Sequence, residues 1–345
     1  MRRTPNQNQG SSSRQSYKTN GRLLEEIMLT ALEKDKKLVV LASSLSTHSL
    51  PAPGNVTQRL AQVLATRFPE RFYGLGELMD ELTVKVTELA AQGLQPLVLL
   101  NSADLAISYA RLTAICAQGL RVIFLLAGGP ASGQTWRPSG VNDLAILRTL
   151  SPLYIGIPSD ARELLQQINE AGTIQDRPVV LYYHSSIRSR ADETLHLLRR
   201  SPGVGRSIMV REGKELAILA IGPATGIAVA LAQRLDSAGH NAAVVDTRWA
   251  RPLDDALLTA VAHHFPRLVT IEEGTLEGSF GTAVLEMLER KGIYETHLMR
   301  LSTGTRPALV KLAGSVTAFL ETLQRDEGLG PHTRPAARQP QPGSI

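Results

Sequence analysis

Residues 216–239 read LAILAIGPATGIAVALAQRLDSAG. The first seven, 216–222, are apolar without polar alternation, the pattern of a strand buried on both faces of a parallel sheet. From Thr225 the apolar residues recur at helical spacing, and Gly239 supplies a stop. The next stretch, NAAVVDTR (241–248), reads again as a strand. A strand, a helix and another apolar strand in succession make a parallel crossover unit.

The same alternation extends in both directions. Downstream, 254–265 reads as a helix, RLVTIEEG (267–274) as a strand, 281–292 as a helix, 295–302 as a strand and 307–325 as a final helix. Upstream, helix 22–36 feeds the strand KLVVLAS (37–43), and a helix follows at 56–67. The strand QPLVLL (95–100) precedes helix 107–118, and RVIFLLA (121–127) precedes a Gly/Pro/Ser-rich loop at 128–140. A short helix at 142–150, a strand at 153–158, a helix at 159–172 behind a Ser/Asp cap, and the strand PVVLYYH (178–184) complete the first series. The predicted fold class is α/β, with two doubly wound domains on largely parallel sheets. Expected boundaries are a disordered tail at 1–20, a first domain at 21–184, a linker at 185–204, a second domain at 205–328 and a disordered tail at 329–345.

A hydrophobic content of 43% supports a sizeable core and argues against wholesale disorder. The net charge of +5 belongs to the ends, because Arg2, Arg3, Arg14, Lys18 and Arg22 face no acid within 1–24, and 331–345 adds Arg334 and Arg338. The body between them is nearly neutral, so it carries no concentrated positive face for nucleic acid. A single cysteine, Cys116, excludes an internal disulfide and a cysteine-based zinc site. No run is long and apolar enough for a membrane span, and the N-terminus lacks the apolar stretch of a secretory signal. The Arg- and Ser-rich start resembles a transit peptide in composition, leaving an organellar segment open. Residues 1–16 offer no large apolar side chain beyond Met1 to build an amphipathic face. A cytoplasmic protein is the expectation.

Sequence motifs for chemistry are sparse. GGPASGQT (128–135) has the spacing of a phosphate-binding loop, but Gln134 stands where the lysine belongs, and Pro138 and Gly140 delay the helix that should follow. No H-x-x-x-H or G-x-S-x-G spacing occurs. GELMDEL (76–82) crowds Glu77, Asp80 and Glu81 around Leu78, Met79 and Leu82. Its leucines, four apart, suit a helix start with acids free to face solvent. Neither Gly-Asp-Gly nor Asn-Asn, which anchor magnesium and the diphosphate of thiamine cofactors, is present.

Several longer stretches carry a resemblance. RFPERFYGLG (67–76), IGIPSDARE (155–163), PGVGRSIMVREGKELAILAIG (202–222), VVDTRWARPLDDALL (244–258) and LVTIEEGTLEGSFGTAV (268–284) resemble the last two domains of 1-deoxy-D-xylulose-5-phosphate synthase, of the transketolase superfamily. Asp246, Arg248, Pro252, Leu253, Glu272, Glu273, Gly274, Gly278 and Gly281 are its most specific points. The resemblance implies a pyrimidine-binding domain followed by a transketolase C-terminal domain.

It also implies where the chemistry would sit, and there the sequence departs from the family. The glutamate that activates thiamine is matched by Met79, its neighbours by Asp80 and Glu81. A one-residue shift would bring Asp80 there, shorter by one methylene. The two rings that pack on the pyrimidine and the arginine after them are matched by Asn101, Asp104 and Ile107. An aspartate and a histidine of the glycine-rich loop are matched by Ser132 and Trp136, and a phosphate-binding arginine by Tyr182. The family's diphosphate-binding domain has no counterpart in the chain.

These departures imply a degenerate relative, non-catalytic on its own, that acts as a scaffold or regulatory partner. The alternative is a β-type subunit of a split thiamine diphosphate-dependent enzyme whose diphosphate-binding domain is a separate chain. A third reading is a small-molecule-binding module reusing the pocket lined by Asn101, Asp104 and Trp136. No catalytic, cofactor-binding or metal residue is assigned. No cofactor is expected for the isolated chain, and thiamine diphosphate with magnesium only if a partner completes the site. A homodimer or a heteromer with a transketolase-type chain is expected, without nucleic acid or membrane.

Overall fold

A computed structural model describes residues 20–43, 56–75, 81–128, 143–184, 201–303 and 309–328. The expected tail at 329–345, residues 1–19 of the expected tail at 1–20, and most of the linker lie outside the described residues, while Asn20 already begins the first helix.

The first half begins with α1 (Asn20–Lys34), β1 (Leu38–Ser43), α2 (Val56–Arg67), a short 3₁₀ turn, and β2 (Phe72–Leu75). It continues with α3 (Leu82–Ala91), β3 (Gln95–Asn101), α4 (Ser102–Ala117), β4 (Ile123–Gly128) and α5 (Asp143–Thr149), then β5 (Tyr154–Gly156), α6 (Ala161–Ala171) and β6 (Val179–His184). The second half runs β7 (Ile208–Arg211), β8 (Leu216–Ala220), α7 (Ala224–Asp236), β9 (Ala242–Asp246) and β10 (Trp249–Arg251). It ends with α8 (Asp255–His264), β11 (Arg267–Glu272), α9 (Phe280–Arg290), β12 (His297–Ser302) and α10 (Leu309–Gly328).

Two sheets organise these elements. The first has seven strands in the order β10-β5-β6-β4-β3-β1-β2, and the second five in the order β12-β11-β8-β9-β7. Every neighbouring pair is parallel except β10 with β5 and β7 with β9. The α/β class expected from the alternation is the class observed. β8 is buried at all five positions and β3 at its first six, as parallel strands covered by helices on both faces must be. Helix starts follow local chemistry: Asp160 accepts a bond from the Glu163 amide at 2.8 Å, and Asp254 one from Leu257 at 3.1 Å.

Three strands were not anticipated. β2 is half-buried with Gly74 exposed, β7 is largely exposed, and β10 has only three residues, so none presents a readable apolar run. β10 matters most, because it leaves the second half and adds an antiparallel edge to the first sheet, pairing Trp249 with Gly156 and Arg251 with Ile155. One apolar core accordingly runs through both halves: Leu144, Ile155 and Ile157 belong to the same cluster as Leu219, Ile221, Val245 and Phe280. Trp249, fully buried, enters a core of the first half with Leu164, Ile168 and Leu181.

Candidate functional site

Open parallel sheets present ligand sites beyond the carboxyl ends of their strands. In the first sheet those ends are Ser43, Leu75, Asn101, Gly128, Gly156 and His184. Met79, Asp80, Ser132 and Trp136, all singled out above, lie outside the described residues. Glu81, Asn101, Asp104 and Tyr182 can be placed.

Glu81 is exposed and immediately precedes α3; its side chain makes no capping bond, while its carbonyl receives the Lys85 amide at 2.9 Å. Asn101 and Asp104 form a reciprocal capping box at the start of α4. The Asp104 amide donates to Asn101 Oδ1 at 3.1 Å, and the Asn101 amide donates to Asp104 Oδ2 at 3.0 Å. Both side chains are turned back on the strand-to-helix corner. Burial raises the Asp104 carboxyl, and the Asn101 amide holds it down in part. Replacing Asn101 with alanine is expected to cost about 1 kcal/mol, read from the midpoint of a denaturant titration; an unchanged midpoint would show the box to be idle.

Tyr182 lies one strand further along the edge, on β6. Its ring crosses the end of β4 so closely that a Cβ on Gly128 would fall 2.1 Å from it. Its hydroxyl donates to Asp143 Oδ2 at 3.4 Å, and Ser102 Oγ donates to the same oxygen at 2.5 Å. The carboxyl edge therefore carries a Ser102–Asp143–Tyr182 cluster joining α4, α5 and β6. Burial raises the Asp143 carboxyl against the pull of these two hydroxyls. Burial, with the charges of Asp143 and Glu273, pushes the Tyr182 phenol up beyond its ordinary value, so it remains a hydrogen-bond donor. In this cluster the Asp143 carboxyl accepts from both hydroxyls, which fixes the corner where α4, α5 and β6 meet. Among the described residues no group of three His, Cys, Asp or Glu could hold a metal ion, and no helix is long and apolar enough to cross a membrane.

Asp143 and Ser102 escaped sequence reading because they meet from positions 41 residues apart. A second polar centre escaped for the same reason. Where β9 turns into β10, Arg248 adopts a left-handed φ of 57° and is wholly buried. Its guanidinium meets Glu163 Oε1 and Glu170 Oε1, each at 2.8 Å, and donates to the carbonyls of Gly203 and Arg206 at 3.1 Å. The Glu163 contact is an ion pair in which Nε is not aligned as a hydrogen-bond donor. Gln167 Nε2 donates to the Arg248 carbonyl at 3.0 Å, and Trp249 Nε1 to Glu170 Oε2 at 3.2 Å. The spacing of Glu163, Gln167 and Glu170 along one face of α6 was the available signal, since polar groups on an inward stripe need a buried partner. Cys116 is buried and its thiol is pushed up to about 11, so it is a packing residue rather than a nucleophile.

Comparison with known proteins agrees with this architecture. Residues 205–309 match the family described as transketolase, C-terminal domain. A 1-deoxy-D-xylulose-5-phosphate synthase from Syntrophomonas wolfei is 29% identical over 288 residues, 82% of this chain and 43% of the relative. One from Magnetococcus marinus is 34% identical over 235 residues, 67% of this chain and 37% of the relative. The chain thus spans about two-fifths of the length of the curated relatives it matches. Among solved structures, a split-gene transketolase described as an inactive beta4 tetramer superposes with a TM-score of 0.67 at 24% identity, over 87% of this chain and 96% of that chain, which establishes the shared fold. Residues 205–309 are thus a transketolase C-terminal domain, in a chain similar to the C-terminal part of 1-deoxy-D-xylulose-5-phosphate synthases and sharing the fold of the split-gene transketolase.

Proposed function

We propose that this chain is a non-catalytic member of a transketolase-type assembly, acting as a scaffold or regulatory partner and performing no thiamine chemistry alone. The observation that carries this reading is the use made of the first sheet's carboxyl edge. The positions that the family resemblance assigns to aromatic packing on the pyrimidine are Asn101 and Asp104, and these close a capping box on each other. Beside them the Tyr182 ring covers Gly128 at the position of the phosphate-binding arginine. Asn101 and Asp104 offer no ring where the pyrimidine would be packed, and the neutral Tyr182 phenol, its ring set against Gly128, offers no cation for a phosphate. The described edge does not fit an aminopyrimidine, and no step of catalysis is assigned to the chain.

The second reading is a β-type subunit whose partner chain supplies the diphosphate-binding domain. The split-gene transketolase favours it, because that protein's chain matches this one over nearly its whole length. Calorimetric titration with thiamine diphosphate and magnesium separates the two. The isolated chain is expected to give no binding heat. With a diphosphate-binding chain that co-purifies with it, the scaffold reading predicts that this chain adds no cofactor affinity beyond the partner's own. Cofactor binding that requires both chains would replace it with the split-enzyme reading.

A further inference from the structure

The Arg248 centre lies at the joint between the halves and outside any role proposed above. From the first half come Ser159, Asp160, Glu163, Gln167 and Glu170, at and beyond the start of α6. From the second come Asp246, Arg248 and the segment at 203–207, with Arg206 paired to Asp254 at 3.6 Å on its outer side. Glu163, Glu170 and Asp246 are buried around one cation. Fully ionised, they would leave the interior with two excess negative charges, a costly arrangement away from water.

The geometry offers a remedy. Ser159 Oγ lies 2.6 Å from Glu163 Oε2 and also bonds to Asp246. A proton held on Glu163 can be shared through that hydroxyl with Asp246. We propose that the joint is a proton-operated latch: it is closed while Glu163 and Asp246 share a proton, and it loosens when the proton leaves and three buried carboxylates crowd the single Arg248 cation.

The protonation behaviour agrees. Burial first, and then the Asp246 charge, push Glu163 up to about 8, against the pull of Arg248 and Ser159. Burial pushes Asp246 up to about 6. Both carboxyls are raised, so the latched form binds protons that the released form gives up above the ordinary carboxylate range. Latching therefore weakens as pH rises through that range to about 8, and is level above it. A single proton makes the opening constant rise about tenfold per pH unit within the window. The strand that would lose protection is β10, whose pairing with β5 depends on the turn at Arg248.

Hydrogen exchange on the full chain tests this. After correction for intrinsic rates, protection at 249–251 is expected to fall about tenfold per pH unit between pH 6 and 7.5, while protection within β8 stays level. In Glu163→Gln, which imitates the protonated acid, that slope is expected to vanish. In Asp246→Asn, which removes the charge raising Glu163, the window should move to lower pH. A wild-type chain with level β10 protection would overturn the latch, whatever the variants do. So would a slope that survives Glu163→Gln, or a window that Asp246→Asn leaves in place.

Discussion

Replacing Arg248 with alanine is expected to destabilise the chain by about 3–5 kcal/mol, the loss that follows when a buried ion network is deprived of its cation. The substitution removes the only cation contacting Glu163 and Glu170 among the described residues, and leaves Glu170 and the charge that Glu163 shares with Asp246 buried without it. It also strips the Gly203 and Arg206 carbonyls of their donor, loosening the segment that leads into the second half. Relief of the left-handed φ at position 248 offsets little, because the turn is closed by the Trp249 amide on the Thr247 carbonyl at 2.5 Å and any L-residue meets the same φ. Lysine is expected to recover only a small part, since one ammonium cannot reach two carboxylates and two carbonyls in a plane. Urea unfolding of the full chain is the measurement, with Arg290→Ala as reference. Arg290 pairs with Asp255 in the open, so its loss should stay below about 1 kcal/mol. Equal shifts for the two variants would show that the buried network contributes no more than a surface pair.

The joint was the least legible part of the molecule, for a physical reason. Arg248 and Glu170 are 78 residues apart, and nothing local in VVDTRWARPL indicates that its arginine points inward. Sequence pattern speaks of periodic burial, and three-residue β10 has no period. The parallel strands were legible because they are covered on both faces and hence apolar throughout, as in 97–100 and 216–220. On the carboxyl edge, Asn101 and Asp104 were singled out for standing where rings were expected. Their spacing is also that of a capping box, N-x-x-D in place of the more familiar S/T-x-x-E, and the structure gives them that role. Tyr182 was singled out as a lost arginine, but its partners Ser102 and Asp143 belong to other elements and could not be named from spacing.

The motif EEGTLEGSFG falls within residues 205–309, which match the transketolase C-terminal domain, and its packing supplies a physical reason for the pattern to persist there. Glu272, at the end of β11, accepts the amides of Phe280 and Gly281, both at 2.8 Å, and the hydroxyl of Ser279. Its carboxylate closes the N-terminus of α9 from within and meets the positive end of that helix's dipole. Gly281 must lack a side chain, because a Cβ would fall 2.7 Å from Thr270 Oγ1 and 3.0 Å from Glu272 Oε1. These are folding requirements, independent of any cofactor. Glu272→Ala should therefore cost about 3 kcal/mol, since it leaves buried donors without a charged acceptor. Glu272→Gln should cost about half as much, because one oxygen remains to accept while the new amide faces other donors. Burial, outweighing these bonds and Arg300, raises the Glu272 carboxyl above its ordinary value. Its contribution is thus largest at low pH and declines as pH rises through the carboxylate range. Denaturant midpoints for the two variants at pH 5 and pH 8 measure both effects. Alanine and glutamine variants with the same midpoint would assign the motif's persistence to something other than this cap. An alanine variant folding as stably as the parent would do the same.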